Sequence, residues 1–383
     1  MPRLVATCRF AVIAAVMTVA SPPPVALCQP PGPTSSTPTS SQREEPEKPV
    51  AVTTPLGGVL GNLRFNGLIQ GWYLAASGAT VDTFRLRRTE LKLSAEVGSH
   101  AAWVVMIDPS KSLSLNKEWA NIEGRQVVAD TSVNQASRIL QDAFITIKAA
   151  PHVQVSVGQM KLPLGLEGLA SSSALSVVER ALFLSDRPRG GSYGDVRDLG
   201  AMVRGTVSRS LDYSVGLFNG AGQTQNDLGK ADRKVVSARL HVHPDWLHGL
   251  RVGVSAARGI ETRLDVRQER TGLDLEYLYD DLTLRFELMT GQDAALKRKG
   301  YYVHAGYKIL PTLELAGRVD TWDPDTALDS TAAAVGERDY VASLNYFISR
   351  DNVKCQLHAA RKTFASGVTS DKTQVLTNLQ VSW

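Results

Sequence analysis

From residue 63 onward the chain alternates apolar and polar residues in short bursts separated by turn residues. Leu282, Leu284, Phe286 and Leu288 share one parity, with Thr283, Arg285 and Glu287 on the other. Tyr340, Ala342, Leu344 and Tyr346 alternate in the same way with Val341, Ser343 and Asn345. The last run sets Val375, Thr377, Leu379, Val381 and Trp383 against Leu376, Asn378, Gln380 and Ser382. Successive strand residues point to opposite faces, so each burst predicts a strand with one apolar and one polar face. Such strands, the last ending on an aromatic residue, fit a barrel with lipid outside and water inside.

About sixteen segments carry this signature: 63–74, 84–97, 101–107, 138–148, 153–160, 199–207, 211–218, 235–242, 250–256, 273–279, 282–288, 301–310, 313–320, 339–347, 353–359 and 374–383. Their connections alternate in length. Short turns fall at 98–100, 149–152, 208–210, 243–249, 280–281, 311–312 and 348–352. Long loops fall between them at 75–83, 108–136, 161–198, 219–234, 257–272, 289–300, 321–338 and 360–373. Short turns at one end and long loops at the other predict an all-β transmembrane antiparallel barrel of about 16 strands, with both termini on the periplasmic side. A charge on the lipid face costs about 2 to 4 kcal/mol near the midplane, so the charged parity must line the lumen. A barrel of this width is too wide for its own side chains to fill, which predicts an aqueous channel.

The region ahead of the strands reads differently. Arg3 and Arg9 precede an apolar run over 10–20, followed by small residues and Pro22, Pro23 and Pro24, the layout of an export signal. That run is shorter than the roughly 20 residues a membrane-spanning helix needs, and no later stretch reaches that length. Residues 1–28 are therefore expected to be a signal peptide, with cleavage after Ala20 or near Cys28; Leu27 stands where lipidation of Cys28 requires a small residue. Residues 29–60, rich in Pro, Ser and Thr, are expected to form a disordered periplasmic leader, and 61–383 the outer-membrane barrel. The formal charge of +4 falls to +2 without Arg3 and Arg9, which does not mark a nucleic-acid binder. Of Cys8, Cys28 and Cys355, processing leaves Cys355 alone, with no internal disulfide to form.

The longest connection, 161–198, carries a helical pattern. Ser176 and Glu179 have capping-box spacing, and Leu175, Val178 and Leu182 repeat on one face. An apolar helix suits the barrel interior better than the cell exterior, so this connection is expected to fold inward and constrict the channel, with an external lid as the alternative. Basic residues gather here: Lys161, Arg180, Arg187, Arg189 and Arg197, joined by Arg87, Arg88 and Lys92 on the second strand. Guanidinium groups grip phosphate and carboxylate through paired hydrogen bonds, so a basic constriction favours anions. Glu167, Glu179, Asp186, Asp195 and Glu90 oppose them, so ion-paired structural arginines are the competing reading.

The strand FRLRRTELKLSAEV, the stretch LQDAFITI, the run VGQMKLPLGLE, the block VERALFLSDRPRGGSYGDVRDLGAMVRG and the following DYSVGLFNG together resemble the phosphate-selective porin O and P family. The resemblance implies a sixteen-stranded homotrimeric channel of the bacterial outer membrane, embedded in its lipid and passing small anions, with phosphate as a candidate. Arg87 and Arg88 match the paired arginines of the family's second strand, and Lys161 matches the basic residue after the Gly-Gln of the fifth. Lys92, Arg187 and Arg189 complete the expected anion-binding set. Arg87 and Arg88 are adjacent, so both reach the lumen only if the strand bulges.

No nucleophile motif or phosphate loop stands out, and neither a cofactor nor a metal is expected. His241 and His243 share a strand face without an evident third ligand. A barrel hydrolase would need Ser, His and an acid on facing strands; His304 and His358 fall on inward parities, so that class stays open. A plugged structural barrel is the third class, and a general diffusion pore without anion preference is the closest competitor.

Overall fold

The computed structural model describes residues 63–77, 82–113, 115–122, 125–133, 139–185, 191–223, 234–261, 265–329, 335–365 and 370–383; over 115–133 only the backbone is described. The expected export signal and leader lie outside the described residues, as do Asp186, Arg187 and Arg189.

The strands are β1 (Arg64–Ala76), β2 (Thr83–Val97), β3 (Ala101–Ile107), β4 (Leu115–Ile122), β5 (Arg125–Val133), β6 (Leu140–Ala150), β7 (Val153–Lys161), β8 (Arg197–Ser208) and β9 (Leu211–Phe218). They continue with β10 (Val235–Val242), β11 (Leu250–Glu261), β12 (Val266–Tyr279), β13 (Leu282–Asp293), β14 (Leu296–Leu310), β15 (Leu313–Asp323), β16 (Glu337–Ser349), β17 (Val353–Phe364) and β18 (Lys372–Ser382). All but β4 and β5 form one closed antiparallel barrel in which neighbours in the wall are neighbours in sequence, apart from the step from β3 to β6. β1 closes the ring against β18 in a register running from Leu68 opposite Ser382 to Ala76 opposite Gln374. Closure leaves no sheet edge, which a bilayer demands because hydrocarbon offers no partner to a free N–H or C=O. No helix among the described residues is long and apolar enough to cross a membrane.

Burial runs opposite to a water-soluble fold. Outward leucines and valines are open, with Val157 59%, Leu379 54% and Val303 51% exposed, because lipid is their solvent. Gln70, Ser156, Asn345, Gln356 and Gln380, on the inward parity, are buried. Aromatic residues stand near the strand ends that carry the termini and short turns, among them Phe65, Tyr279, Tyr307, Tyr346 and Trp383. Phe65 meets Trp383 edge-on at 6.0 Å across the closing seam. A Cβ on Gly67 would stand 2.1 Å from the Trp383 ring, so this ring lies on the only residue type that leaves it room.

Three expectations change. The connection expected over 108–136 contains a hairpin of β4 and β5. The loops expected over 257–272 and 289–300 are mostly strand: β11 runs to Glu261, β12 starts at Val266, and β13 and β14 pair as far as Asp293 opposite Leu296. Past the bilayer both faces of a strand meet water, so pairing continues where the alternation stops. The helix expected over 175–182 is absent; a helical turn, α1 (Leu182–Ser185), follows an irregular backbone.

Candidate functional site

The connection between β7 and β8 folds into the barrel, and the wall supplies its hydrogen bonds. Ser237 Oγ on β10 donates to the Pro163 carbonyl at 3.4 Å, and the Gly165 N–H donates to Ser255 Oγ on β11 at 3.1 Å. The N–H groups of Leu166 and Glu167 then donate to the two carboxylate oxygens of Glu287 on β13, at 2.9 and 3.0 Å. Gly165 has φ +73°, and a Cβ there would stand 2.3 Å from Glu287 Oε1, so only glycine permits this docking.

The chain then crosses to the opposite wall and follows it strand by strand. Gln70 of β1 and Gln380 of β18 donate to the Ser172 and Ser173 carbonyls at 3.5 and 3.1 Å. Lys354 and Gln356 of β17 both donate to the Leu175 carbonyl, at 3.0 and 3.1 Å. Asn345 of β16 donates to Ser176 O at 2.8 Å, and Arg318 of β15 to Glu179 O at 2.9 Å. A helix would have turned these carbonyls toward its own amides; the wall donors hold them outward instead, which is why the capping-box spacing does not make a helix. The donors brace one another through an amide chain: Asn378 to Gln356 at 2.8 Å, Gln356 to Asn345 at 2.8 Å and Asn345 to Glu314 at 3.1 Å.

Val178, on which the inward folding turned, is 2% exposed and packs with Trp72, Leu74 and Leu376 on the inner wall. Within α1, Phe183 stacks on Tyr302 at 6.1 Å, and past it Tyr193 meets Trp322 edge-on at 5.1 Å. The loop closes on itself at Asp195, which lies 2.8 Å from Lys161 Nζ, 3.5 Å from Arg197 and 3.7 Å from Arg180. Burial alone would raise the Asp195 carboxyl; the three cations outweigh it and hold the group below the usual carboxylate range.

Over the loop, at the end carrying the long connections, a cavity of about 370 Å³ remains. It is lined by Trp72, Leu74, Arg85, Arg87, Glu179, Arg180, Leu182, Ser185, Arg318, Asp320, Glu337, Asp339, Val341, His358, Ala360, Lys362, Gln374 and Leu376. Two of its arginines, Arg85 and Arg87, reach it because of a bulge. Gln70 pairs with Arg88 and Gly71 with Leu86, leaving Arg87 as an extra residue in β2. The bulge switches the inward parity, so Arg85 and Arg87 face the lumen above it, while Arg88, Glu90 and Lys92 do so below.

The expected anion-binding residues therefore occupy different surroundings. Arg87 lines the cavity, with its Nε 3.2 Å from Glu179 Oε1 and its guanidinium 5.3 Å over the Trp72 ring. Burial pushes the Glu179 carboxyl up, but Arg87 and Arg88 pull it below its ordinary range. Arg88 is 5% exposed and donates to Gln70 Oε1 at 2.6 Å. Lys161 is held by Asp195 and by the Gly168 carbonyl at 2.7 Å. Lys92 is exposed, lies opposite Asn66 and Met106 toward the other end of the barrel, and makes no ion pair with a described residue. Arg187 and Arg189 are outside the described residues.

Arg85 and Lys362 were missed. Arg85 is two residues from Arg87, so parity alone points to it once the bulge is known; Lys362 follows His358 and Ala360 on one parity of β17. Of the lining cations, Lys362 is held by Asp339 at 2.9 Å and Glu337 at 3.2 Å, and Arg318 by Glu167 and Asp320, each at 3.3 Å. Arg85 has no carboxylate partner among the described residues. His304 and His358 are buried. His243 Nε2 lies 3.1 Å from Asp212 Oδ2 and His241 Nδ1 lies 3.7 Å from it, yet no group of three residues with metal-holding geometry exists among the described residues.

Residues 73–263 match the family described as phosphate-selective porin O and P. No curated protein matches the chain. Among solved structures, the anion-selective porin from Comamonas acidovorans is 10% identical with a TM-score of 0.58, over 84% of this chain and 99% of that one. The outer membrane channel DcaP of Acinetobacter baumannii is 10% identical with a TM-score of 0.57, over 84% and 97%. In-vitro folded OmpT of Vibrio cholerae, in its trimer form, is 9% identical with a TM-score of 0.55, over 84% and 99%. These likenesses establish a porin-type barrel.

Proposed function

Because the chain belongs to the phosphate-selective porin O and P family and is a porin of the bacterial outer membrane, we propose that it passes small anions by passive diffusion across the cavity lined by Arg85 and Arg87. The observation that carries this reading is the β2 bulge, which turns both arginines into the lumen and leaves Arg85 without a carboxylate partner among the described residues. A cation at a narrowing lowers the barrier for anions and raises it for cations. Arg87, locked against Glu179 and Trp72, presents its remaining donors in a fixed direction, and Lys362 lines the same cavity. Phosphate is one anion in this class, carboxylates another. Arg88 and Lys161 serve this function indirectly, by fixing the wall and the loop, and Lys92 adds positive potential at the far mouth. Arg187 and Arg189, outside the described residues, stay in the proposed anion-binding set on the family resemblance alone.

The competing reading, a general diffusion pore, draws on the near balance of charge. Arg85, Arg87, Arg180, Arg318 and Lys362 face Glu179, Asp320, Glu337 and Asp339 around the cavity. A homotrimer is part of the proposal, as the trimer form of OmpT suggests. So are an export signal over 1–28 and a periplasmic leader over 29–60. Liposome swelling tests the transport reading. Proteoliposomes are expected to swell several-fold faster in isotonic potassium acetate with valinomycin than in a neutral solute of similar size; equal rates would favour the general pore.

A further inference from the structure

The outer face of the wall changes character at the end carrying the long loops. Along β16 the outward positions run Tyr346, Leu344, Ala342, Tyr340 and then Arg338. Along β17 they run Cys355, Leu357, Ala359 and then Arg361, and along β14 Tyr307, Ala305, Val303, Tyr301 and then Lys299. In each strand the apolar run gives way to a cation, and all three cations are exposed. On β2 the outward face ends instead on Leu86 and Phe84, both exposed. The three cations do not serve the lumen, because the inward parity beside them belongs to Glu337, Asp339, Ala360 and Gly300.

The ladder fixes their spacing. Arg338 stands opposite Thr363 and Arg361 opposite Tyr340, so the two arginines are diagonal neighbours on one face, about 7 to 8 Å apart at the backbone. Thr321 of β15 pairs with both Arg338 and Tyr301, which puts Lys299 two strands and one outward position from Arg338, about 12 Å away. Arg338 and Lys299 make no ion pair with a carboxylate among the described residues. Arg361 reaches Asp371 at 3.2 Å, but with side chains 69% and 47% exposed this pair is weak. Tyr301 and Tyr340, just below the cations, mark the membrane boundary, where basic residues meet the headgroups of anionic lipids.

We propose that the outward face of β14, β16 and β17 at the long-loop end binds the phosphorylated sugar headgroup of an outer-leaflet glycolipid, with Arg338 and Arg361 sharing one phosphate and Lys299 meeting a second. Guanidinium groups hold phosphate through paired charge-assisted hydrogen bonds, and a phosphate between two of them relieves the repulsion that the bare pair carries. The site lies on the opposite face of the wall from the passage, so it stands or falls independently of the transport reading.

The test uses the full mature protein in detergent with a chelator present, so that no divalent cation bridges Asp323, which stands opposite Lys299, to a phosphate. Fluorescently labelled diphosphoryl lipid A in mixed micelles is the probe, competed with its monophosphoryl and dephosphorylated forms and with inorganic phosphate. The diphosphoryl form is expected to bind at least about tenfold more tightly than the dephosphorylated one, and Arg338→Gln/Arg361→Gln to lose about tenfold in affinity. Lys299→Gln is expected to lose less and to erase the difference between the diphosphoryl and monophosphoryl forms. Heat-modifiable migration on a gel verifies that each variant is a folded barrel, and an unchanged chloride-to-potassium permeability ratio in the double variant separates these arginines from those of the lumen. Equal binding of the diphosphoryl and dephosphorylated forms, or a double variant that binds as the wild type does, overturns the proposal. Displacement of the probe by millimolar inorganic phosphate would assign the arginines to the free ion and overturn it as well.

Discussion

Arg87 and Arg88 are consecutive residues of one strand, yet they belong to two regions that use the same chemistry for different ends. Arg88 sits with the buried donors that hold the inward loop, its guanidinium turned into Gln70. Arg87 sits at the edge of an open cavity, with a side chain 36% exposed. In the anchoring region the wall donors are spent on loop carbonyls and on one another's amides, so their bonding capacity is consumed internally. In the cavity the match is incomplete, and the unmatched part remains for a solute. Counting basic residues in a loop does not separate these cases; what separates them is whether each charge has a partner.

The largest effect is expected where the anchor is broken. Glu287→Leu strips the acceptor from two loop amides and should destabilise the docked loop by about 4 kcal/mol. The variant should show raised single-channel conductance and rapid proteolysis within 162–196. Gly165→Ala attacks the same contact from the loop side and should give the same phenotype.

Next is the contrast between the adjacent arginines. Arg87→Gln should lower the chloride-to-potassium permeability ratio several-fold with little change in thermal stability. Arg88→Gln should lower the melting temperature by several degrees with a smaller effect on the ratio. The reverse result would exchange the two roles.

A third prediction concerns pH. The Asp195 carboxyl is held below its ordinary range, so the stability it lends is complete above the unfolded value of about 3.9 and is lost as pH falls through its lower folded value. The contribution of Asp195 to the protease resistance of the loop should therefore persist from pH 7 down to about 4 and be lost only below that. Asp195→Asn should loosen the loop already at pH 7, and a variant as protease-resistant as the wild type at pH 7 would contradict the assignment. The smallest effect is expected for Lys92→Gln, which lies outside both regions and should shift the reversal potential by less than Arg87→Gln does.

The barrel was legible in the sequence because lipid on one side and water on the other impose a period of two along the strand cores, broken in β2 by the bulge at Arg87. Strand ends were not, since at Gln268 or Gln292 both faces meet water and pairing leaves no pattern. The inward folding of the loop was legible from Val178 and its apolar neighbours. Its irregular backbone was not, because the donors that decide it, Gln70, Asn345, Lys354 and Gln380, come from strands about a hundred residues or more away in sequence. Arg87 was visible as a candidate, but its parity depends on an extra residue in β2 that shows only against β1.

The reversal potential of the purified protein under a potassium chloride gradient tests the central claim most directly, compared between the wild type and an Arg85→Gln/Arg87→Gln double variant. The wild type should reverse on the chloride side of zero and the double variant close to zero. A wild-type potential at zero, or on the potassium side, would contradict an anion-preferring passage at these arginines.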